Sequence, residues 1–562
     1  MNKKMTINKF PYIRVTKFLD INDVLELMNV SKAMRDAVLN YHKVIRMYLH
    51  VFHLLMRYIE DLFTQDELIH TNLKTIFFKG NFKFIRQSVN QMISEFKCNE
   101  IKLNPHQIVY VIGTFLAKII LKYQNDLILT DNPYILKNYY KPYEKFNLLS
   151  LNSFDIDDDS IDFLIITLKI LKKYNIINGV SLCNNKFSNE KIGELFQFAC
   201  DGYIRLFDFS SNKLSIKGIK LIFQKIKEYI DKYPNYKIYA IDLSDCAILD
   251  EELQLISYYL SLNYPIERLC LNANKFSNLK PLAEAMLKNT NITELRLTQM
   301  DLGEEMNPLF SVLENNSQIT RLILDKNKLV TIMPQMIHSI STMSNLIELS
   351  LIRNKINDDF GEQLINSLST HNTNLQMLYL SINSIGIKTC QEISKFLLLD
   401  ECQLTILELQ SNQIDDECLQ ELITGMKVNQ TLSYLEIGYN KINTISGILL
   451  GEYLKNNTTL STLNIKQNYL FNEGCGKILE GLAENNNSNL RSLNLIGNSI
   501  DDKVYSSIKN LIDKRKTLSD LIPIRIILDC NLISNETIEK IEALDGLSYG
   551  IELSLEGMII EN

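Results

Sequence analysis

Residues 346–374, LIELSLIRNKINDDFGEQLINSLSTHNTN, decide how the whole chain is read. Leu349, Leu351, Asn354 and Ile356 form the unit L-x-L-x-x-N-x-I, and a polar start at 357–359 leads into a helical pattern through Phe360, Leu364 and Leu368. The alternating leucines put two apolar side chains on one face of a short strand, while the residues between them point to the other face. The asparagine stands where the chain leaves the strand, and its amide can serve backbone groups that the bend takes out of the ladder. One such unit is too small to bury its own apolar face, so it predicts neighbours built in the same way.

Those neighbours run down the chain. The asparagine slot recurs at Phe154, Asn185, Asn212, Cys246, Asn274, Met300, Asn327, Asn354, Asn383, Asn412, Asn440, Asn468, Asn498, Asn531 and Met558, with successive spacings between 26 and 34 residues. This resembles the leucine-rich repeat, whose period is ~20–29 residues, with a few insertions. Repeat length and the helix after each strand resemble the ribonuclease-inhibitor class, which also includes the Ran GTPase-activating protein. The resemblance implies an α/β solenoid of about 15 repeats over 147–562, a horseshoe with a parallel sheet on the concave side and helices on the convex side. Cys246 fits the asparagine slot, whereas Phe154, Met300 and Met558 cannot bond as asparagine does, so local distortion is expected there.

Composition narrows the function classes. With 59 basic and 66 acidic residues the net charge is −7, and no Lys/Arg-rich run occurs, which argues against nucleic acid as the main partner. The ten cysteines include no C-x-x-C pair, and Cys183, Cys246 and Cys270 fall inside the repeat pattern, so a reduced, cytoplasmic setting is expected. The N-terminus MNKKMTINKF lacks the apolar core of a signal peptide. The longest apolar stretch, 108–121, contains Lys118 and is shorter than the ~20 residues of a membrane span.

Residues 1–50 stand apart. FPYIRVTKFLDINDVLELMNVSKAMRDAVLNYHKVIRMYL has apolar residues at helical spacing in three blocks, broken near Asp20–Asn22 and Asn29–Ser31, which predicts three small helices. Pro11, Phe18-Leu19-Asp20, Asp23-Val24, Leu27 and Val30-Ser31-Lys32 running into Met34-Arg35 resemble the F-box, the motif that holds the Skp adaptor of a cullin-based ubiquitin ligase. The resemblance implies adaptor contacts and internal core among Pro11, Phe18, Leu19, Val24, Leu27, Val30 and Met34. Phe10 stands where the family pattern favours leucine, and Met34 and Ile45 where it favours tryptophan. A three-helix cap over a solenoid end is the alternative reading of the same blocks. Residues 51–146 read as a helical linker with a degenerate repeat near Ile101–Ile108, followed by an inserted loop from Thr130 to Glu144.

No catalytic constellation is present in the sequence: there is no phosphate-binding G-x-x-x-x-G-K-S/T loop, dinucleotide G-x-G-x-x-G or G-x-S-x-G elbow. His50 and His53 lack partners at ligand spacing, and the acidic run 155–159 lacks the glycine and terminal glutamate of a calcium loop. Neither a metal nor a cofactor is expected. What remains is the strand face opposite the leucines, expected to lie open to solvent, with Ser350 typical of its exposed positions. Arg268, Arg296 and Arg321 cluster in the middle of it, relieved in part by Glu294 and Asp325, and Glu348, Tyr379, Glu408, Tyr434 and Glu436 follow. A strip of mixed charge with aromatics is the pattern of a protein-binding site. Together with the F-box resemblance this implies a substrate receptor of a Skp/cullin ligase presenting an unidentified target protein. A plain scaffold or inhibitor and, from the repeat class alone, a Ran-type GTPase activator are the rivals.

Overall fold

The computed structural model describes residues 148–152, 156, 158–172, 177–186, 188–199, 204–233, 237–314, 316–372, 374–517 and 522–555, together with 117, 128 and 129. The F-box-like segment, nearly all of 51–146 and the slots Phe154 and Met558 lie outside the described residues. The chain divides into two compact units, Met1–Lys191 and Ile192–Asn562.

In the first unit β1 (Ile128–Leu129) pairs antiparallel with β2 (Leu148–Ser150), which pairs parallel with β3 (Gly179–Ser181). The sequence pattern predicts no strand at 128–129. Two residues of pairing are enough to cover the edge of β2 that a parallel repeat leaves unpaired. Between β2 and β3 the helix Asp158–Lys172 buries Ile161, Leu164, Leu168 and Leu171 at the spacing of one helix face.

The second unit is one parallel sheet in chain order. Its strands are β4 (Leu206–Asp208), β5 (Ile238–Asp242), β6 (Ile266–Cys270), β7 (Glu294–Arg296), β8 (Arg321–Ile323), β9 (Glu348–Ser350) and β10 (Met377–Tyr379). They continue as β11 (Ile406–Glu408), β12 (Tyr434–Glu436), β13 (Thr462–Asn464), β14 (Ser492–Asn494), β15 (Ile524–Ile527) and β16 (Ile551–Ser554). The register aligns the first leucine of each unit: Leu269 opposite Leu295, then Leu322, Leu349, Leu378, Leu407, Leu435, Leu463 and Leu493. All of these are fully buried, each contributing ~1.5–3 kcal/mol of apolar transfer. This is the leucine-rich-repeat solenoid that the spacing predicts.

The turn after each strand rests on the asparagine. Asn383 Nδ2 donates to Leu351 O at 3.0 Å in the preceding repeat and to Leu380 O at 2.9 Å in its own. Its Oδ1 accepts from Asn354 N and Ile356 N, both at 3.0 Å. One amide thereby satisfies four backbone groups in two repeats. The same four-bond pattern recurs at Asn274, Asn327, Asn440, Asn468 and Asn531.

Cys246 replaces half of this: its Sγ donates to Phe209 O at 3.2 Å, and burial pushes the thiol up, keeping it protonated as a donor. Met300 has no donor for the preceding repeat, yet its turn keeps its bonds to the following one. Gln299 N still reaches Asp325 O at 2.8 Å and Met300 N reaches Asn327 Oδ1 at 3.2 Å, because the acceptor belongs to the following repeat. Ala247 and Asp301, just after the two substituted slots, are left-handed, but so is Lys355 after the intact Asn354. The second left-handed residue is therefore not a consequence of the missing amide.

Helices cover the leucine side of the sheet. Asp358–His371 starts at Asn357, whose side chain accepts from Phe360 N at 2.9 Å, and buries Gly361, Leu364, Ile365 and Leu368. The helices Thr444–Leu454 and Phe471–Glu484 touch backbone to backbone: a Cβ on Gly447 would fall against Gly474 Cα, and one on Gly481 against Gly451 O.

Candidate protein-binding face

Side chains two apart on each strand share the face opposite the leucines, and the register sets them in columns. Arg268, Arg296 and Arg321 lie on the successive strands β6, β7 and β8, as chain order predicts. Glu294 sits among all three. Arg268 Nη2 lies 2.6 Å from its Oε2, Arg296 Nε 2.5 Å from its Oε1 and Arg321 Nη1 3.6 Å from its Oε2. Arg321 Nε is also 3.4 Å from Glu348 Oε2. Arg268 Nη2 donates to Tyr239 Oη at 2.9 Å, and its guanidinium stands 5.0 Å from that ring.

Burial decides what this cluster can do. Arg268 is 1% exposed, Glu294 3% and Arg296 9%, so these three are packed within the wall of the face. Burial alone would push Glu294 up, but the guanidinium groups of Arg268, Arg296 and Arg321 outweigh it and hold the carboxyl below the usual range. Asp325, expected to relieve the arginines in part, feels the pull of Arg296 and also accepts from Ser350 Oγ at 2.5 Å and Ile352 N at 2.9 Å, yet burial outweighs these and pushes its carboxyl up. Ser350 is thus buried at 4% exposure, a correction to its expected open position. Alternation in the sequence tells which face a side chain takes, but how deep it lies depends on neighbours a repeat away.

The later strands carry the aromatics. Tyr379 on β10 is half-buried, and burial, with Glu348 and Glu408 nearby, pushes its phenol up. It lies in register with Glu408, which lies in register with Glu436. Burial pushes Glu436 up to about 7 against the opposing pull of Lys466. Its Oε1 accepts from Gly438 N at 3.0 Å and its Oε2 accepts from Asn464 Nδ2. The groups left half-buried at the entrances of β8 to β14 are Arg321, Glu348, Met377, Ile406, Tyr434, Thr462 and Ser492.

The structure therefore brings Arg268, Arg296, Arg321, Glu348, Tyr379, Glu408, Tyr434 and Glu436 onto one face of adjacent strands. Pro11, Phe18, Leu19, Val24, Leu27, Val30 and Met34 lie outside the described residues. Sequence reasoning missed Tyr239, which carries Arg268, and the pair Asn464 and Lys466 beside Glu436. Extending the same column reading one strand further finds Asn464 and Lys466, but not Tyr239, because the residue in register with Arg268 is Ala240. Among the described residues no cluster of three His, Cys, Asp or Glu side chains could hold a metal, and no helix is long and apolar enough to cross a membrane.

Strand register, asparagine ladder and helix layer together define a leucine-rich-repeat protein. The chain is 30% identical over 143 residues to NACHT, LRR and PYD domains-containing protein 4E of Mus musculus, covering 25% of this chain and 14% of that one. It is 31% identical over 121 residues to NACHT, LRR and PYD domains-containing protein 3 of Homo sapiens, covering 21% of this chain and 12% of that one. The chain thus spans only about an eighth of the length of these curated relatives. Among solved structures it is similar to the yeast Rad7 and Elc1 complex (TM-score 0.43, 13% identity, 81% of this chain and 94% of that one). It is also similar to an internalin of Listeria monocytogenes (TM-score 0.35, 16% identity, 80% of this chain and 95% of that one). No family model matches the chain.

Proposed function

We propose that this chain is a non-enzymatic protein-recognition subunit that binds a target protein on the open face of its repeat sheet. The observation that carries the reading is the strip of half-buried Arg321, Glu348, Tyr379 and Tyr434 on β8, β9, β10 and β12. Beneath it, charged side chains are fixed by mutual bonds, so the surface is ordered before a partner arrives, which lowers the entropy cost of binding. The tyrosines are the affinity anchors, and Arg321 and Glu348 set register and encounter rate. Arg268 and Arg296 act from behind by holding Glu294.

The F-box resemblance of residues 11–35 extends the proposal: the N-terminal segment docks a Skp adaptor and its cullin, and the repeats present the target for ubiquitin transfer by other subunits. Affinity capture with the full-length chain from eukaryotic cytosol, read by mass spectrometry, tests both levels. Recovery of adaptor and cullin, lost on Pro11→Ala with Leu19→Ala, is the expected result. A target that dissociates faster from a Tyr379→Ala, Tyr434→Ala variant supports the open face, and unaltered kinetics with that variant removes it.

A further inference from the structure

The residues flanking each asparagine make a second surface, the edge where strands give way to helices. The residue just before the asparagine is left-handed in repeat after repeat, at Lys326 (φ 55°), Arg353 (58°), Ile382 (58°), Ser411 (56°) and Tyr439 (54°). Backbone bonds tie each member to the next repeat: Arg353 N to Ser381 O at 3.0 Å, Ile382 N to Gln410 O at 2.7 Å and Ser411 N to Gly438 O at 2.9 Å. These residues therefore form a row with one strand step, ~4.8 Å, between neighbours.

Ile382 is out of place by every folding criterion. A β-branched residue is strained in the left-handed region, where Asn or Gly is at ease, and its side chain is 43% exposed, so burial does not compensate. Tyr439 occupies the same slot at 50% exposure, and Tyr469, just after its asparagine, is 55% exposed. Ile382 and Tyr439 are held in the left-handed region and left largely in water, Tyr439 with Lys466 Nζ 5.7 Å from its ring, and large exposed groups of this kind are what a partner covers.

The other end of the row carries three cations and no large apolar group, whereas at the Tyr439 end Lys441 and Lys466 stand beside the aromatics. Lys326, Arg353 and Lys355 are exposed, and among the described residues none of them has a carboxylate within ion-pair distance, whereas neighbouring Lys328 is 2.6 Å from Asp301. From Lys326 to Tyr439 is four strand steps, ~19 Å, the length of about six extended residues.

We infer that this edge binds an extended segment of a partner protein that is acidic at one end and apolar at the other. Its carboxylates meet Lys326, Arg353 and Lys355, and its apolar side chains cover Ile382, Tyr439 and Tyr469, with the small Ser411 between. The inference rests on the protein-binding reading above but uses a different surface.

The test is selection of displayed random peptides on the full-length protein, followed by titration of the enriched peptide with a fluorescent label. Enrichment of acidic residues followed by Leu, Ile or Phe is expected, with binding that weakens as salt rises. Ile382→Asn with Tyr439→Asn should raise the melting temperature, because asparagine suits the left-handed slot, while weakening the peptide by roughly tenfold or more. Arg353→Gln with Lys355→Gln should flatten the salt dependence. No enrichment, enrichment without acidic residues, or equal binding by the asparagine double variant overturns the inference. Concentration-dependent dimerisation that this double variant abolishes would assign the edge to a second copy of the chain and overturn it as well. Failure here with target capture intact removes the edge alone; failure of the wild-type chain to capture any target removes the broader reading.

Discussion

Arg268 and Glu294 sit on adjacent strands with Nη2 and Oε2 2.6 Å apart and side-chain exposures of 1% and 5%. At that depth the pair is defined by what would follow from losing either member. Glu294 also faces Arg296 and Arg321, so Glu294→Ala leaves Arg268 and Arg296 without their carboxylate, while Arg321 keeps Glu348, and should cost ~3–5 kcal/mol. Urea titration of Glu294→Ala beside Arg321→Ala checks this, since Arg321 reaches its carboxylates only at 3.6 Å and 3.4 Å and should cost much less.

The same geometry sets an acid limit. Glu294 is held below the ordinary range in the folded chain, so its contribution is present above the unfolded pKa and lost as pH falls through the folded one. Stability measured from pH 6 down to pH 3 should fall for the wild type by more than for Glu294→Gln.

Glu436 runs the other way. With its folded pKa near 7, its contribution is present below the unfolded value and disappears as pH rises through 7. Glu436→Gln should therefore leave stability at pH 5 close to wild type and raise it at pH 8 by on the order of 2 kcal/mol. Melting curves at the two pH values decide it, and an equal shift at both would show that the carboxyl is not neutral in the fold.

Met300 offers a gain. Asparagine at this slot would supply the amide that Leu271 O and Asn274 N lack from the following repeat, as Asn383 supplies it to Leu351 O and Asn354 N. Met300→Asn should stabilise by about 1 kcal/mol after the loss of methionine packing, read as a shift in denaturant midpoint at constant slope.

The helix contact gives a steric prediction. Gly481→Ala places a methyl against Gly451 O and should cost ~1–3 kcal/mol, whereas Gly476→Ala meets only Ser507 Oγ at 3.0 Å and gains helix propensity. Circular dichroism melts of the two variants should move in opposite directions.

The repeat spacing carried the fold because the leucine pair and the asparagine answer to constraints within one unit: an apolar strand face and a turn. The columns of the open face follow, so Arg268, Arg296 and Arg321 could be put on successive strands from chain order alone. Depth could not be read. Whether Ser350 or Glu294 is sealed depends on Asp325 and Arg268, each about a repeat away in sequence, and on how long side chains from parallel strands fold over one another. The edge row at Ile382 and Tyr439 was also invisible, because a left-handed slot that accepts Lys, Ser, Gln or Gly in other repeats leaves no fixed residue type to find.

Each ladder amide divides its bonds between its own repeat and the one before. A deletion that removes one whole period, from a point in one turn to the same point in the next, rejoins a carbonyl and an N–H of the same kind to an amide of the same kind. A cut that removes the turn of one repeat without its strand leaves a ladder group facing a helix. Genes for such an array can lengthen or shorten by whole units with little penalty, and the 26- to 34-residue variation between slots is then confined to the helix and loop segments that the ladder does not cross.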